Sequence, residues 1–384
     1  MSLIEESNTE EMQMFRDMIL RFLEQEVSPH YDTWEKNHMM PREMWNIMGS
    51  AGMLLVDFPE KYGSAGASFD VCQMIQEEIC RMGFQGLGTG YNIHANIVAP
   101  YILNIGNQKQ KDRWLPGMVT GEVLTALAMT EPGAGSDVAG MRTSAVKDGD
   151  EYILNGSKTF ITNGNTADMI IVCAKTDTKA GAKGISLFLV DTSLTGFSTG
   201  KPIEKMGQHC SDTAELFFEN MRIPSDALLG EEGKGFVYLM QELPRERLGC
   251  AVQAIGHAQG ALDLTCEYVK DRKAFGQTVS QFQNTRFKLA QSQTELELCR
   301  ALLEKHMLKY KRDEMTVTDA AMLKLSATEM QLTMVNECLQ LFGGYGYTDE
   351  YPISRFYRDA RIQTIYAGSS EIMKEVIARD ILGR

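Results

Sequence analysis

Five stretches carry residues whose types and spacing could do chemistry. In MTEPGAGSDVAG, residues Met129 to Gly140, a strand is expected to end at Thr130 and a Pro/Gly loop to follow. Glycine lets backbone approach a ligand closely. Exposed N–H groups there, with the Thr130 and Ser136 hydroxyls, suit a polar planar or phosphorylated ligand, and a plain turn accounts for the loop equally. In KTFITNG, Lys158 to Gly164, a period of two puts Phe160 and Thr162 on one strand face. An aromatic ring beside a hydroxyl can stack on and bond a planar group; taken alone, Phe160 reads as core. ELPRER, Glu242 to Arg247, reads as a helix start with Pro244 in its first turn. There Glu242 and Glu246 complement the helix dipole. YVKDRKAFG, Tyr268 to Gly276, holds a basic island of Lys270, Arg272 and Lys273, either a solvated helix end or a phosphate site. Lastly, CLQLFGGYGY precedes a C-terminal stretch containing YAGSSEIM. Gly343 and Gly344 can end a helix. Ser369 and Glu371 stand before another helix, whose free N–H groups favour an anion and which Ser369 or Ser370 can cap.

The elements that must position these groups change along the chain. The first third reads helical. Ser7 and Glu10 form a capping-box pattern, and Met12, Phe15, Ile19, Phe22 and Leu23 follow at helical spacing up to Pro29, which should end or kink the helix. Further helices are expected over 41–51, 69–82, 91–105 and 108–118. From Thr125, short apolar runs alternate with turns, and Asn155-Gly156 gives the strongest local hairpin signal. Such strands without intervening helices imply an antiparallel sheet or barrel. A Gly-rich junction at 230–235 leads into helices over 236–271, 280–311 and 318–342 and a last one after Gly368, which make a bundle. The fold class is thus multidomain α and β: an N-terminal helical domain (1–124), a middle antiparallel β-barrel domain (125–235) and a C-terminal four-helix bundle (236–384). The order disfavours βαβ alternation, and no GxGxxG occurs.

Composition narrows the function. The 384 residues carry a formal charge of −13, which disfavours nucleic acid and anionic lipid as main partners. The eight cysteines are dispersed without a CxxC, and the six histidines form no HExxH. No metal site is expected, and the cysteines read as free, mostly buried thiols of a reducing compartment. The first residues, MSLIEESNTEEMQMF, show no secretory or transit character, and no apolar run reaches the roughly 20 residues of a membrane span. A bacterial-type cytoplasmic location is the simplest expectation.

TEPGAGSD, KTFITNG, RKAFGQ, LQLFGGYGY and YAGSSEIM, in this order and spacing, resemble the acyl-CoA dehydrogenase family of flavoenzymes over essentially the whole chain. QELPRERL, KGISLFLV and DTAELFFE look most like its long-chain branch. The resemblance implies a homotetramer holding non-covalent FAD, oxidising an acyl-CoA to the trans-2-enoyl-CoA and passing electrons to an electron-transfer flavoprotein. It places Leu127, Met129, Thr130, Gly135 and Ser136 along the flavin ring and Phe160, Ile161 and Thr162 on its other side. Arg272, Phe275, Gln283, Gln340, Leu341, Phe342, Gly343 and Gly344 are similar to residues reaching a neighbouring subunit's FAD. Ser369, Ser370 and Glu371 complete the flavin site. Ser136, Pro244, Arg245, Arg247, Ala367 and Gly368 border the acyl-CoA. One departure matters. Where many members carry a catalytic glutamate in a YEG motif, this chain reads Tyr366-Ala367-Gly368. The long-chain and isovaleryl branches put a glutamate before an arginine on a bundle helix, as Glu246 stands before Arg247. Glu246 is therefore the expected base and the Ala367 N–H the expected oxyanion donor. Asn92 and Asn96, four apart, could limit the acyl pocket, bind a polar tail or cap helix contacts. A medium-to-long straight acyl chain is expected, with a short or branched one as the other reading. A dioxygen-using oxidase of the same fold and a non-catalytic scaffold are the competing functions.

Overall fold

The computed structural model describes residues 10–383, so the Ser7 half of the capping box lies outside them. Helix α1 (Glu10–Phe22) buries Ile19. The expected break at Pro29 does not occur. The chain widens into one π turn, Leu23–Val27, just before Pro29 and continues as α2 (Ser28–Asn37), so the helical ladder adjusts where the proline N–H is missing. Then come α3 (Glu43–Ser50), α4 (Phe69–Arg81) and α5 (Gln85–Tyr91). A π segment, Asn92–Val98, links α5 to α6 (Ala99–Ile105), and α7 (Gln108–Thr120) starts on an Asn107/Gln110 capping box. Leu23, Met48, Leu54, Ile75, Leu87, Ile102 and Leu115 lie in one buried cluster shared by these helices.

The middle region is an eight-stranded sheet. Its strands are β1 (Thr125–Ala128), β2 (Ser144–Asp148), β3 (Glu151–Thr162), β4 (Met169–Lys175), β5 (Ile185–Asp191), β6 (Phe197–Thr199), β7 (Thr213–Pro224) and β8 (Leu228–Leu229). The order is β6-β7-β3-β2-β4-β5-β8, with β1 beside β4. Most pairs are antiparallel, as expected, but β1 and β2 both pair with β4 in parallel, so the sheet is mixed. The partners of these parallel pairs are joined by long connections, 129–168 from β1 to β4 and 149–168 from β2 to β4, as parallel neighbours require.

Asn155-Gly156 makes no hairpin. It lies inside β3, where the register against β7 shifts. At Gly156, φ is 146° and a Cβ would stand 2.5 Å from the Thr143 hydroxyl, so this glycine serves a close approach. The reversal falls instead at Gly149-Asp150, between the paired Asp148 and Glu151.

The last region begins with α8 (Gly235–Asp271), 37 residues long. Pro244 therefore sits well inside a helix rather than at its start. Packing of one face against the neighbouring helices sustains α8 through it. The short hairpin β9 (Lys273–Ala274) and β10 (Gln277–Thr278) leads to α9 (Gln283–Lys311) and α10 (Val317–Phe342). Then follow α11 (Pro352–Ala360) and α12 (Ser370–Ile381). Leu248, Ile255, Leu296, Leu303, Leu323 and Val335 anchor the bundle core. Among the eight free cysteines, seven are buried and Cys266 is partly so.

Candidate active site

Three regions of the chain meet around α8. On its inner face Glu246 is 4 % exposed, and its Oε1 accepts a 2.8 Å hydrogen bond from the Tyr101 hydroxyl on α6. One turn earlier Glu242 accepts from the Asn104 amide at 2.9 Å. Burial pushes the Glu246 carboxyl up to about 7; Tyr101 and Arg247 oppose the rise, and Glu242 adds to it. Burial also raises Glu242. The carboxylate is thus desolvated and oriented, as a base working near neutral pH must be. Its two arginine neighbours differ. Arg245 is spent on an internal ion pair with Asp57 at 2.8 Å and lies over the Phe69 ring. Arg247 is buried, with Nε and Nη1 unpartnered, and Nη2 lies 3.7 Å from where a Cβ on Gly368 would be. Pro244, just before them in sequence, is half-buried.

The Tyr366-Ala367-Gly368 turn faces this centre through that Arg247 contact. Two consecutive residues are left-handed, Ala367 at φ 52° and Gly368 at φ 95°. The Tyr366 hydroxyl donates to Gln253 at 3.0 Å, and Lys324 Nζ donates to the Gly368 carbonyl at 2.8 Å. Ser369 caps α12, accepting from the Ile372 N–H. Ser370 is buried and donates to Glu329, while Glu371 stays exposed in the first turn of α12. Its carboxyl is held below the usual range by the helix-end N–H and the Ser369 hydroxyl.

The face expected to meet the flavin is built differently. Beneath the Pro/Gly loop a buried pair, Lys158 to Glu131 at 2.9 Å, braces the structure. Lys158 also donates to the Met129 carbonyl, and Glu131 accepts from the N–H groups of Arg142 and Thr143. Burial lowers Lys158. In Glu131 burial is outweighed by Lys158 and the Thr143 and Arg142 bonds, and its carboxyl is held low. Leu127, Met129 and Thr130 are half-buried, and Gly135 and Ser136 are exposed. The Thr130 hydroxyl is turned inward to the Thr159 carbonyl.

Phe160 is not a core residue. A register shift between Lys158 and Ile161 puts it at φ 59° and leaves its ring 68 % exposed. Ile161 turns into the sheet core, and Thr162 is half-buried. An exposed ring, and a loop where an added Cβ on Gly133 or Gly135 meets nothing, fit a planar cofactor laid along this face.

At the far end of α8, Arg272 lines a cleft of about 570 Å³ with Gln340, Leu341, Phe342, Gly343 and Gly344. The Arg272 guanidinium lies 5.2 Å over Tyr345, and Phe342 stacks on Tyr268 at 3.9 Å. Phe275, at the hairpin tip, is 96 % exposed, and Gln283 is exposed at the start of α9. The cleft suits an anionic, aromatic ligand portion. The larger cavity, about 1010 Å³ between α1, α4, α8 and α9, contains none of these groups.

Sequence reasoning misses Tyr101, Asn104, Lys158 and Lys324. Tyr101 is 145 positions from Glu246, and only the packing of α6 on α8 joins them. Nothing in its local pattern separates it from a core tyrosine.

Three family models match in chain order. Their descriptions are acyl-CoA dehydrogenase, N-terminal domain (residues 9–122), middle domain (126–221) and C-terminal domain (233–382). The chain is similar to the mitochondrial long-chain specific acyl-CoA dehydrogenase of Sus scrofa, 45 % identical over 97 % of this chain and 86 % of that one. It is also 38 % identical to the short-chain specific acyl-CoA dehydrogenase of Clostridium acetobutylicum, covering 97 % of this chain and 98 % of that protein. Its fold is similar to an acyl-CoA dehydrogenase from Geobacillus kaustophilus, with TM-score 0.95, 48 % identity and coverage of 97 % and 98 %. A glutaryl-CoA dehydrogenase from Mycobacterium smegmatis, solved in complex with FADH2, matches at TM-score 0.92 and 29 % identity, covering 99 % and 96 %.

Proposed function

The chain belongs to the acyl-CoA dehydrogenase family of FAD oxidoreductases, and from that premise we propose that Glu246 is the base that opens α,β-dehydrogenation of its acyl-CoA. The observation carrying this is the buried Glu246–Tyr101 pair, with the carboxyl raised to about 7. An α-proton of a thioester is weakly acidic, so its removal needs a desolvated base aligned on one side of the Cα–Cβ bond. FAD, when bound, accepts the hydride leaving Cβ. Glu246 takes the α-proton, the Cα–H electron pair becomes the new π bond, and the product is the trans-2-enoyl-CoA. Negative charge developing on the thioester oxygen requires a donor, and the Ala367 N–H is assigned that task. The two duties of one YEG glutamate are thereby divided between two residues. Leu127 to Ser136, with Phe160, Thr162 and the Ser369–Glu371 cap, are assigned to the flavin ring. Arg272, Phe275, Gln283 and Gln340–Gly344 are assigned to the rest of an FAD.

The acyl group proposed is a medium-to-long straight chain, as in fatty-acid β-oxidation. Asn92 and Asn96 favour weighing a short or branched one. Both are buried, Asn96 accepts from Gln73 at 2.9 Å, and Asn92 Oδ1 lies 2.3 Å from where a Cβ on Gly249 would be, one turn from Glu246. We further take domain boundaries near 125 and 236, a cytoplasmic homotetramer, and an electron-transfer flavoprotein as acceptor. Anaerobic mixing with butanoyl-, isovaleryl-, octanoyl- and hexadecanoyl-CoA, ranked by flavin bleaching rate, decides the acyl class. Glu246→Gln should stay yellow and folded and fail to bleach with the best of them. Bleaching at an undiminished rate removes Glu246 from the mechanism.

A further inference from the structure

Lys324, on α10, is 0 % exposed. A cation at such a site loses its hydration, and a leucine or methionine would fill the volume without that penalty. What it meets there is the Gly368 carbonyl, 2.8 Å from Nζ. The charged and titratable groups around it are Arg247 and Cys250 on α8, Glu329 on α10 and Glu371 on α12. Burial is the main force drawing Lys324 down, to about 8; Arg247 adds to it and the two carboxylates oppose it. It is therefore still mostly protonated at neutral pH.

The carbonyl it holds belongs to a strained turn. Left-handed Ala367, at φ 52°, is disfavoured for an L-residue because its Cβ crowds the following carbonyl oxygen. Such a conformation persists only where the surroundings over-determine it. Here the turn is gripped from two helices: Gln253 of α8 takes the Tyr366 hydroxyl, and Lys324 of α10 takes the Gly368 carbonyl. Between those two anchors stands the single residue whose N–H is assigned to the thioester oxygen.

We propose that Lys324 is a positioning residue: by donating to the Gly368 carbonyl it locks the Ala367 turn, aiming the Ala367 N–H at the thioester oxygen. The inference rests on the oxyanion role proposed for Ala367. It adds a requirement that this role does not contain, a buried cation on α10, well before the Gln340–Phe342 end of that helix. Because the YEG carboxylate is missing here, the backbone N–H is what remains of that position for the reaction, and its aim must come from elsewhere.

Three forms of the FAD-loaded protein test this: wild type, Lys324→Met and Lys324→Arg. Two readouts are needed. One is the rate of anaerobic flavin reduction by saturating octanoyl-CoA, or the best substrate of the panel. The other is the carbonyl stretch of carbonyl-labelled trans-2-enoyl-CoA bound to the oxidised protein, by isotope-edited infrared spectroscopy. Lys324→Met should slow reduction about a hundredfold, the scale of a lost oxyanion donor, with acyl-CoA affinity changed less than about threefold. The carbonyl stretch should move back toward its value in water, and Lys324→Arg should restore most of both. Reduction at the wild-type rate in Lys324→Met overturns the proposal. So does a slowed rate with an unmoved carbonyl stretch, which marks a purely structural role. If Lys324→Met does not fold with FAD, Lys324→Ala, which also removes the donor, is read by the same two criteria. A wild-type protein that no acyl-CoA bleaches refutes the dehydrogenase reading itself, and this is seen before any variant is compared.

Discussion

Glu246 and Phe160 stand at opposite extremes of exposure. Glu246 is buried and already bonded, with Tyr101 on its oxygen and a carboxyl shifted to about 7 by burial. Phe160 is 68 % exposed and left-handed, and Phe275 is 96 % exposed. A base must have its proton affinity set before substrate arrives, so the chain itself supplies the dry surroundings. A residue that holds a large cofactor needs an open face, since the cofactor provides the missing half of its packing. One contrast therefore separates what this chain completes alone from what it leaves for a ligand.

The hardest test of the contrast is Glu246→Gln, which should cut flavin reduction by about a thousandfold or more. It should also stabilise the protein above neutral pH. The folded carboxyl titrates near 7 against an ordinary 4.5, so the charged form is penalised by folding and stability falls as pH rises through that window. The difference is on the order of 3 kcal/mol, read by urea unfolding of wild type and variant at pH 5 and pH 9. Equal stability at both pH values would mean that Glu246 is not desolvated.

Lys158→Met strands Glu131 under the Pro/Gly loop and should cost about 3 kcal/mol in the same unfolding measurement, with loss of bound FAD. If stability is unchanged, the buried support of the flavin face is dispensable. Tyr101→Phe is subtler. It removes a bond to the carboxylate worth about 1.5 kcal/mol, and so raises the Glu246 pKa further. The base is active when deprotonated, so wild-type reduction should rise with pH through about 7. In the variant that limb should move up by roughly one pH unit, with the plateau rate nearly kept. A limb that stays put dissociates Tyr101 from the base. Smallest of all, Phe160→Ala should weaken FAD binding by about fivefold to tenfold, the worth of one aromatic contact, and leave the apoprotein's thermal midpoint unmoved. A lowered midpoint would make Phe160 a core residue after all and erase the contrast.

Much of the fold was legible because helical spacing and the shift to short apolar runs at Thr125 report local burial directly. Each departure has a physical cause. Pro29 and Pro244 are tolerated because a π turn and a packed face absorb them. Asn155-Gly156 imitates a turn, yet its glycine is there to let Thr143 approach. Phe160 is exposed at a register shift that depends on β7, more than 50 positions away in sequence. Of the candidate site, the loop, the basic island and the glutamate-arginine pair could be seen as motifs, but not what surrounds them. Arg245 and Arg247 look alike in ELPRER, and only packing pairs the first with Asp57 and leaves Nε and Nη1 of the second without a hydrogen-bond partner.

By itself, the order of residues determined the helical, β and helical succession, and through its resemblance to the family it marked Ala367 where a YEG carboxylate is common and Glu246 before Arg247. These are properties of type and spacing along one chain. Only the tertiary structure decided that Glu246 is a shifted, oriented base, that Lys324 grips the Ala367 turn and that Phe160 is open. Each of those is a matter of dielectric, hydrogen-bond partner or register, and in each case the deciding atoms come from elements far apart in sequence.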